Sequence, residues 1–369
     1  MPLINQITVW KLELTSHTPY YMANGKTCVS VPSIIMRVDT DEGISGWGEV
    51  CPIPHYLAAY ADGVLPALQN MSEVLLGTEA VGPEAVMAIM DRYLIGHRYA
   101  KSVIDMALWD ITAKKADMPL YQLLGGKQTE KLPLYKSLTC TDTHTMVEMA
   151  LHAYNEGIRQ FQVKLGAEND WVKDVERLTS VRDAVGPGPL VFGDWNCGSS
   201  QRDAIRAARA VSHLDIMIEQ PCATLESCNV VRQNSGLAMK LDESAHDIES
   251  LLHANQLGCM DAAAIKLSKF GGLSKARRAR DLCESIGTQM VIEDTWGNDI
   301  TTAASMHLAT ATDSRNLMNV CNLSEYVSPR LDESCYQTQN GYATVSDRPG
   351  LGVNPDLSIL GEPLAILSQ

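Results

Sequence analysis

FQVKLG at residues 161–166, VFGDWN at 191–196, IMIEQP at 216–221, MKLDES at 239–244 and AAIKLS at 263–268 are apolar runs with a charged residue at or near the C-terminal end. Those residues are Lys164, Asp194, Glu219, Asp242 and Lys266, spaced by 30, 25, 23 and 24 residues. One strand, one helix and two short loops fill such an interval, which is the repeat of a (β/α) barrel. In a barrel the C-terminal strand ends all open on one face, where the loops build a site. Three carboxylates and two lysines, distant in sequence, should therefore meet in one pocket. Close carboxylates stay ionised together only if a cation offsets them.

The rest of the chain fits around this beat. Upstream, residues 5–13 (NQITVWKLE) alternate like a half-buried strand, and residues 31–52 read as strand, DEG turn and strand. Residues 65–76, 83–95 and 100–116 change to a helical period. We therefore expect an α+β capping domain over residues 1–126. Residues 127–325 should form a (β/α)7β modified TIM barrel in the α/β class, with LPLYKSL (132–138) as first strand and QMVIED (289–294) and NLMNV (316–320) as the last two. Residues 326–369 hold no further barrel unit and are expected to pack back on the cap, completing it.

Composition narrows the function. The 369 residues are 45% hydrophobic, with a formal net charge of −14. An acidic chain is a poor partner for nucleic acid or an anionic membrane, and no run approaches a membrane span. The N-terminus lacks a basic start followed by an apolar stretch, so no signal peptide is expected. Ten cysteines without CxxC spacing read as reduced packing thiols of a cytoplasmic protein.

The site residues suggest their own chemistry. Asp194, Glu219 and Asp242 end successive strands and offer only oxygen, which suits magnesium better than zinc. A lone carboxylate at a strand end is ordinarily a helix cap or a surface charge; three on consecutive strands are not. Asn196 lies two residues past Asp194 and is expected on the same face. Glu243 should point the other way. Lys164 and Lys266 precede and follow the acidic strands, so they should flank the metal from opposite sides. Each is expected to be pushed toward its neutral form and to act as general acid or base. Lys269 reads as a loop charge. Such a site can remove the proton α to a carboxylate, because a metal offsets the two charges that develop on the enediolate. Racemisation, epimerisation and β-elimination all follow from that step.

RVDTDEGISGWGE (37–49), AKSVIDMALWDITAKKADMPLYQLLGG (100–126), VFGDWN, IEQP, LDES and IKLSKFGGL (265–273) together resemble the enolase superfamily, in its mandelate racemase and muconate lactonizing branch. The resemblance spans nearly the whole chain. It implies magnesium on Asp194, Glu219 and Asp242, and Lys164 with Lys266 as the acid/base pair. One departure is Gln162, where the family's Lys-x-Lys has its first lysine; a similar Gln-x-Lys occurs in members acting on proline derivatives. VIEDTWGND (291–299) has no counterpart of the His-Asp pair of mandelate racemases, and NLMNVCNLSEY (316–326) lacks the Asp-x-Asp of dipeptide epimerases.

CPIPHY (51–56), GHRYAKS (96–102) and EDTWGND (293–299) resemble the group of cis-3-hydroxyproline dehydratases and proline-betaine epimerases. Substrate contacts are then expected from Asp294 and Trp296, from cap-loop residues Tyr20, Tyr21, His55 and Tyr56, and from Asn196, Gln162 and Asn322. Asp294 should pair a substrate ammonium, and Trp296 or Tyr56 should face a cation. The expectation is a magnesium enzyme that epimerises or dehydrates a small cyclic amino acid and assembles as a homo-oligomer. Its rivals are a cycloisomerase of the muconate or succinylbenzoate type and a catalytically silent barrel kept for binding.

Overall fold

A computed structural model of the protein describes residues 1–54 and 57–368. Ile4–Tyr21, Thr27–Thr40 and Ser45–Val50 form consecutive antiparallel strands of one sheet. The first strand runs farther than its alternation suggests, so Tyr20 and Tyr21 sit on a strand end rather than in a loop. Two glycines of the third strand decide what covers the sheet. A Cβ on Gly48 would stand 2.0 Å from Val103 O, and one on Gly46 would stand 2.1 Å from Ala107 O. Helix Arg98–Lys115 therefore lies directly on the backbone of this strand. It is buried on nearly every side, because its other face meets the barrel: Trp109 Nε1 donates to Ser274 Oγ at 2.9 Å.

Eight parallel strands follow in sequence order, from Lys136–Leu138 to Leu317–Val320. Seven helical crossovers connect them, giving the (β/α)7β order. Leu134 bridges to Val320, so the two ends of the curled sheet meet. Five crossover helices begin on Asp142, Asp170, Ser200, Thr224 and Asp247, whose side chains each accept a backbone N–H of the first turn. These caps satisfy donors that a helix start leaves open.

The expected first strand is split. Leu132–Pro133 pairs antiparallel with Tyr342–Val345 of a C-terminal hairpin, and only Lys136–Leu138 joins the barrel. Elsewhere the tail rejoins the cap, where Val327–Ser328 and Ala365–Ser368 both pair with the first cap strand. Glu49 clamps the two units: its carboxylate accepts Asn298 N at 2.8 Å and Thr301 N at 3.0 Å, at the start of helix Asp299–Thr310. These bonds satisfy two donors that the helix start leaves open. Among the described residues no helix is long and apolar enough to cross a membrane.

Candidate active site

Strand register builds the site. Lys164, Asp194 and Glu219 each close a strand and lie side by side across the sheet. The next strand ends at Leu241, and Asp242 follows it. Lys266 closes the strand after that. All five side chains are buried. Directly after two of these strands, Asn196, Cys197 and Gln220 adopt positive φ of 42°, 63° and 33°. Non-glycine residues hold that conformation only where the surroundings enforce it, and such places cluster at functional sites. Gln220 is used at once: its Oε1 accepts Asp242 N at 2.9 Å and fixes the turn that carries Asp242.

Ammonium groups stand against the acids. Lys164 Nζ donates to Asp194, Lys266 Nζ donates to Asp242 at 2.7 Å, and Lys269 Nζ donates to Asp242 Oδ1 at 2.8 Å. Lys269 is thus buried in the site and is not the loop charge its position suggests; Ala264 O and Asp242 O hold it as well. Their acidic neighbours also favour the charged form of the two catalytic candidates. Burial works against the charge of Lys164, but Asp194, Tyr20 and Glu219 together hold its pKa above the ordinary lysine range. For Lys266, Asp242 and the glutamates Glu293 and Glu243 likewise outweigh burial and hold the pKa well up. The acids divide. Burial, reinforced by Asp194, lifts Glu219 to about 7. Asp242 is buried too, yet Lys266 and Lys269 hold its carboxyl well below the usual range.

Lys240 and Glu243 complete the cluster. Register places Lys240 beside Glu219, and its Nζ lies 3.0 Å from Glu219 Oε1 without hydrogen-bond alignment. Glu243 does turn toward the site, accepting Asn196 Nδ2 at 3.1 Å. Asn196 in turn receives Lys164 Nζ on Oδ1 at 3.1 Å. Among the described residues no three His, Cys, Asp or Glu side chains are grouped closely enough to grip one ion. The donor chemistry nevertheless fits a hard dication. The acids on successive strand ends offer oxygen alone, and Glu219 Oε1 and Glu243 Oε2 are buried without a hydrogen-bond partner among the described residues.

A cavity opens above the strand ends. Of the expected contacts, Tyr20, Gln162, Lys164, Lys266, Asp294 and Trp296 line it. Tyr20 reaches over from the cap and packs edge-on against Trp296, with ring centroids 5.2 Å apart, and Tyr326 stands 6.3 Å from Trp296. Asn196 and Asn322 do not line the cavity; Asn322 Oδ1 instead accepts Tyr336 OH at 2.8 Å. His55 and Tyr56 lie outside the described residues. Asp294 is engaged internally. Its carboxylate accepts Ser268 N at 3.0 Å, Thr295 N at 2.7 Å and the Ser268 hydroxyl, so it ties down the turn after Lys266.

Sequence reasoning missed Tyr135, Ser137, Glu293, Cys321 and Tyr326, which also line the cavity. Glu293 closes the seventh barrel strand, pairs in register with Lys266 and accepts the Tyr135 hydroxyl. Its signal was present: it ends a strand, as Lys164 and Lys266 do.

Residues 4–125 match the family model "Mandelate racemase / muconate lactonizing enzyme, N-terminal domain", and residues 145–359 match "Enolase C-terminal domain-like". The chain is 37% identical to a cis-3-hydroxy-L-proline dehydratase of Roseibium aggregatum, over 98% of this chain and 99% of that one. It is 27% identical to an N-succinyl-L-Arg/Lys racemase of Bacillus cereus, covering 97% of each. A crystal structure of an enolase superfamily member from Roseovarius nubinhibens, complexed with magnesium, superposes with a TM-score of 0.94 at 33% identity, covering both chains in full. The chain belongs to the mandelate racemase/muconate lactonizing enzyme family of the enolase superfamily and is an enzyme of that family.

Proposed function

We propose that this enzyme abstracts the proton α to the carboxylate of a small cyclic amino acid, of the hydroxyproline or proline-betaine type. One observation carries the reading: Lys164 and Lys266, from the second and sixth of eight barrel strands, line one cavity. Strands half a turn apart present the two side chains from opposite sides. Asp194, Glu219 and Asp242 would hold the magnesium ion that the family implies. When bound, that ion supplies the positive charge that makes an enediolate accessible.

The remaining work falls to side chains. One lysine takes the α-proton, for which it must first give up the proton that its acidic neighbours favour on it. The other, as ammonium, returns a proton to the opposite face, which epimerises the centre. Alternatively a proton goes to a β-hydroxyl: the Cα–H pair becomes the C=C bond, the Cβ–O bond breaks, and water leaves. Tyr20, Trp296 and Tyr326 would enclose the ring and keep water out. The relative named a cis-3-hydroxy-L-proline dehydratase supports the dehydration branch. We also keep a homo-oligomer in this reading, to be measured by light scattering.

Asp294 favours a second reading. Its charge is already taken by Ser268 and Thr295, which leaves less of it for a substrate ammonium. A nitrogen-free anion of the muconate type fits that arrangement, and a muconate cycloisomerase of Pseudomonas putida is 27% identical over 74% of this chain. The test is incubation with magnesium and a panel of proline derivatives and dicarboxylates in deuterium oxide, followed by NMR. Loss of the α-proton signal or release of water from a proline derivative supports the first reading. Turnover of dicarboxylates alone overturns it.

A further inference from the structure

Gln162 donates both ways from one nitrogen: Nε2 reaches Glu219 Oε2 at 2.7 Å and Asp194 Oδ2 at 3.2 Å. An amide can flip, and a flipped Gln162 would set its carbonyl oxygen against two carboxylates. Ser137 prevents this. It is the register partner of Gln162 on the first barrel strand, and its Oγ donates to Gln162 Oε1 at 2.5 Å. A hydroxyl has one proton to give. Ser137 gives it to Gln162, so it must accept the hydrogen bond it shares with the Tyr20 phenol. The chain of donors therefore has one direction, from cap phenol to serine to amide to the two carboxylates. All three side chains are buried.

We propose that Ser137 is a positioning residue for the acidic cluster: it locks the Gln162 amide so that Asp194 and Glu219 are held in place for a metal ion, and Tyr20 ties that setting to the cap. Ser137 acts through Gln162. The inference rests on the reading that Asp194 and Glu219 hold magnesium. Hydrogen-bond partners of ligating groups commonly change metal affinity 10- to 100-fold when removed.

Calorimetric titration with magnesium chloride alone tests it, without reference to turnover. Ser137→Ala and Gln162→Met should each weaken binding about 10-fold or more. Ser137→Thr, which keeps the hydroxyl, should bind like the wild type. Tyr20→Phe should show a smaller loss of the same sign. Because both changes act on one amide, the double variant Ser137→Ala/Gln162→Met should bind no more weakly than Gln162→Met. Wild-type affinity in Ser137→Ala, or a double variant whose loss is the product of the two, overturns the amide lock while leaving the metal assignment standing. A wild type that binds no magnesium overturns both. Should Ser137→Ala fail to fold, Tyr20→Phe and Gln162→Met carry the test, and wild-type affinity in both rejects the proposal.

Discussion

His307 makes the junction of cap, barrel and tail sensitive to acid. It sits fully buried on helix Asp299–Thr310, where its Nδ1 accepts Tyr121 N at 3.2 Å and its Nε2 donates to Leu351 O at 3.1 Å. A second proton on Nδ1 would face the Tyr121 N–H and lose that bond. Burial accordingly pushes the pKa of His307 down to about 4. The unfolded chain, with an ordinary histidine near 6.5, binds more protons between these values. Stability from His307 is therefore complete above about pH 6.5 and is lost as pH falls through about 4. The loss is about 2 kcal/mol at pH 5 and about 3 kcal/mol in full. Carboxyls work the other way: burial raises Glu49 and Asp105 to about 7, so their contribution grows on acidification. Comparison with His307→Gln cancels them, since glutamine does not titrate and leaves both carboxyls in place. Urea unfolding at pH 7 and pH 5 should show the stability difference between wild type and variant moving by about 2 kcal/mol in favour of the variant at the lower pH. An unchanged difference would refute the reasoning.

Other expectations follow from particular contacts. Gly48→Ala drives a methyl group into Val103 O, and should cost about 3 kcal/mol in urea unfolding, since helix and strand must part. Asp294→Asn turns an amide nitrogen toward donors on Ser268 or Thr295, so stability should fall by about 2 kcal/mol, and activity should fall alike for proline-type and nitrogen-free substrates. A selective loss on proline-type substrates would instead return Asp294 to ammonium binding. Excess chelator should abolish turnover; added magnesium should restore it and stabilise the fold by about 2.7 kcal/mol at a hundredfold excess over the dissociation constant. Full activity in chelator would remove the metal from the account.

The barrel was readable because its parallel strands are short, apolar and punctuated by charge. The capping sheet was readable because its alternation and its DEG turn are local signals. What escaped depended on pairing. Ser137 acquires meaning only from its register with Gln162, which lies a helix away in sequence. Lys240 lies two residues before Asp242 and so shares its face, but only register against Glu219 shows what it meets. Lys269 looked solvated because it follows a strand end, yet the turn there folds it inward onto Asp242. Asp294 lines the cavity, but nothing in EDTWGND reveals that it also accepts Ser268 N. LPLYKSL reads as one strand because it is uniformly strand-like, and only the tail hairpin divides it.

Deuterium exchange by Lys164→Met and Lys266→Met, each tested with whichever substrate the wild type processes, probes the two-lysine site most directly. Methionine keeps the length of the side chain and removes the proton carrier. Both variants should bind substrate and lose turnover, and any residual wash-in of deuterium at the α-carbon should be confined to a single enantiomer, the one facing the lysine that remains. Turnover retained in both variants would contradict the assignment of Lys164 and Lys266 as the acid/base pair.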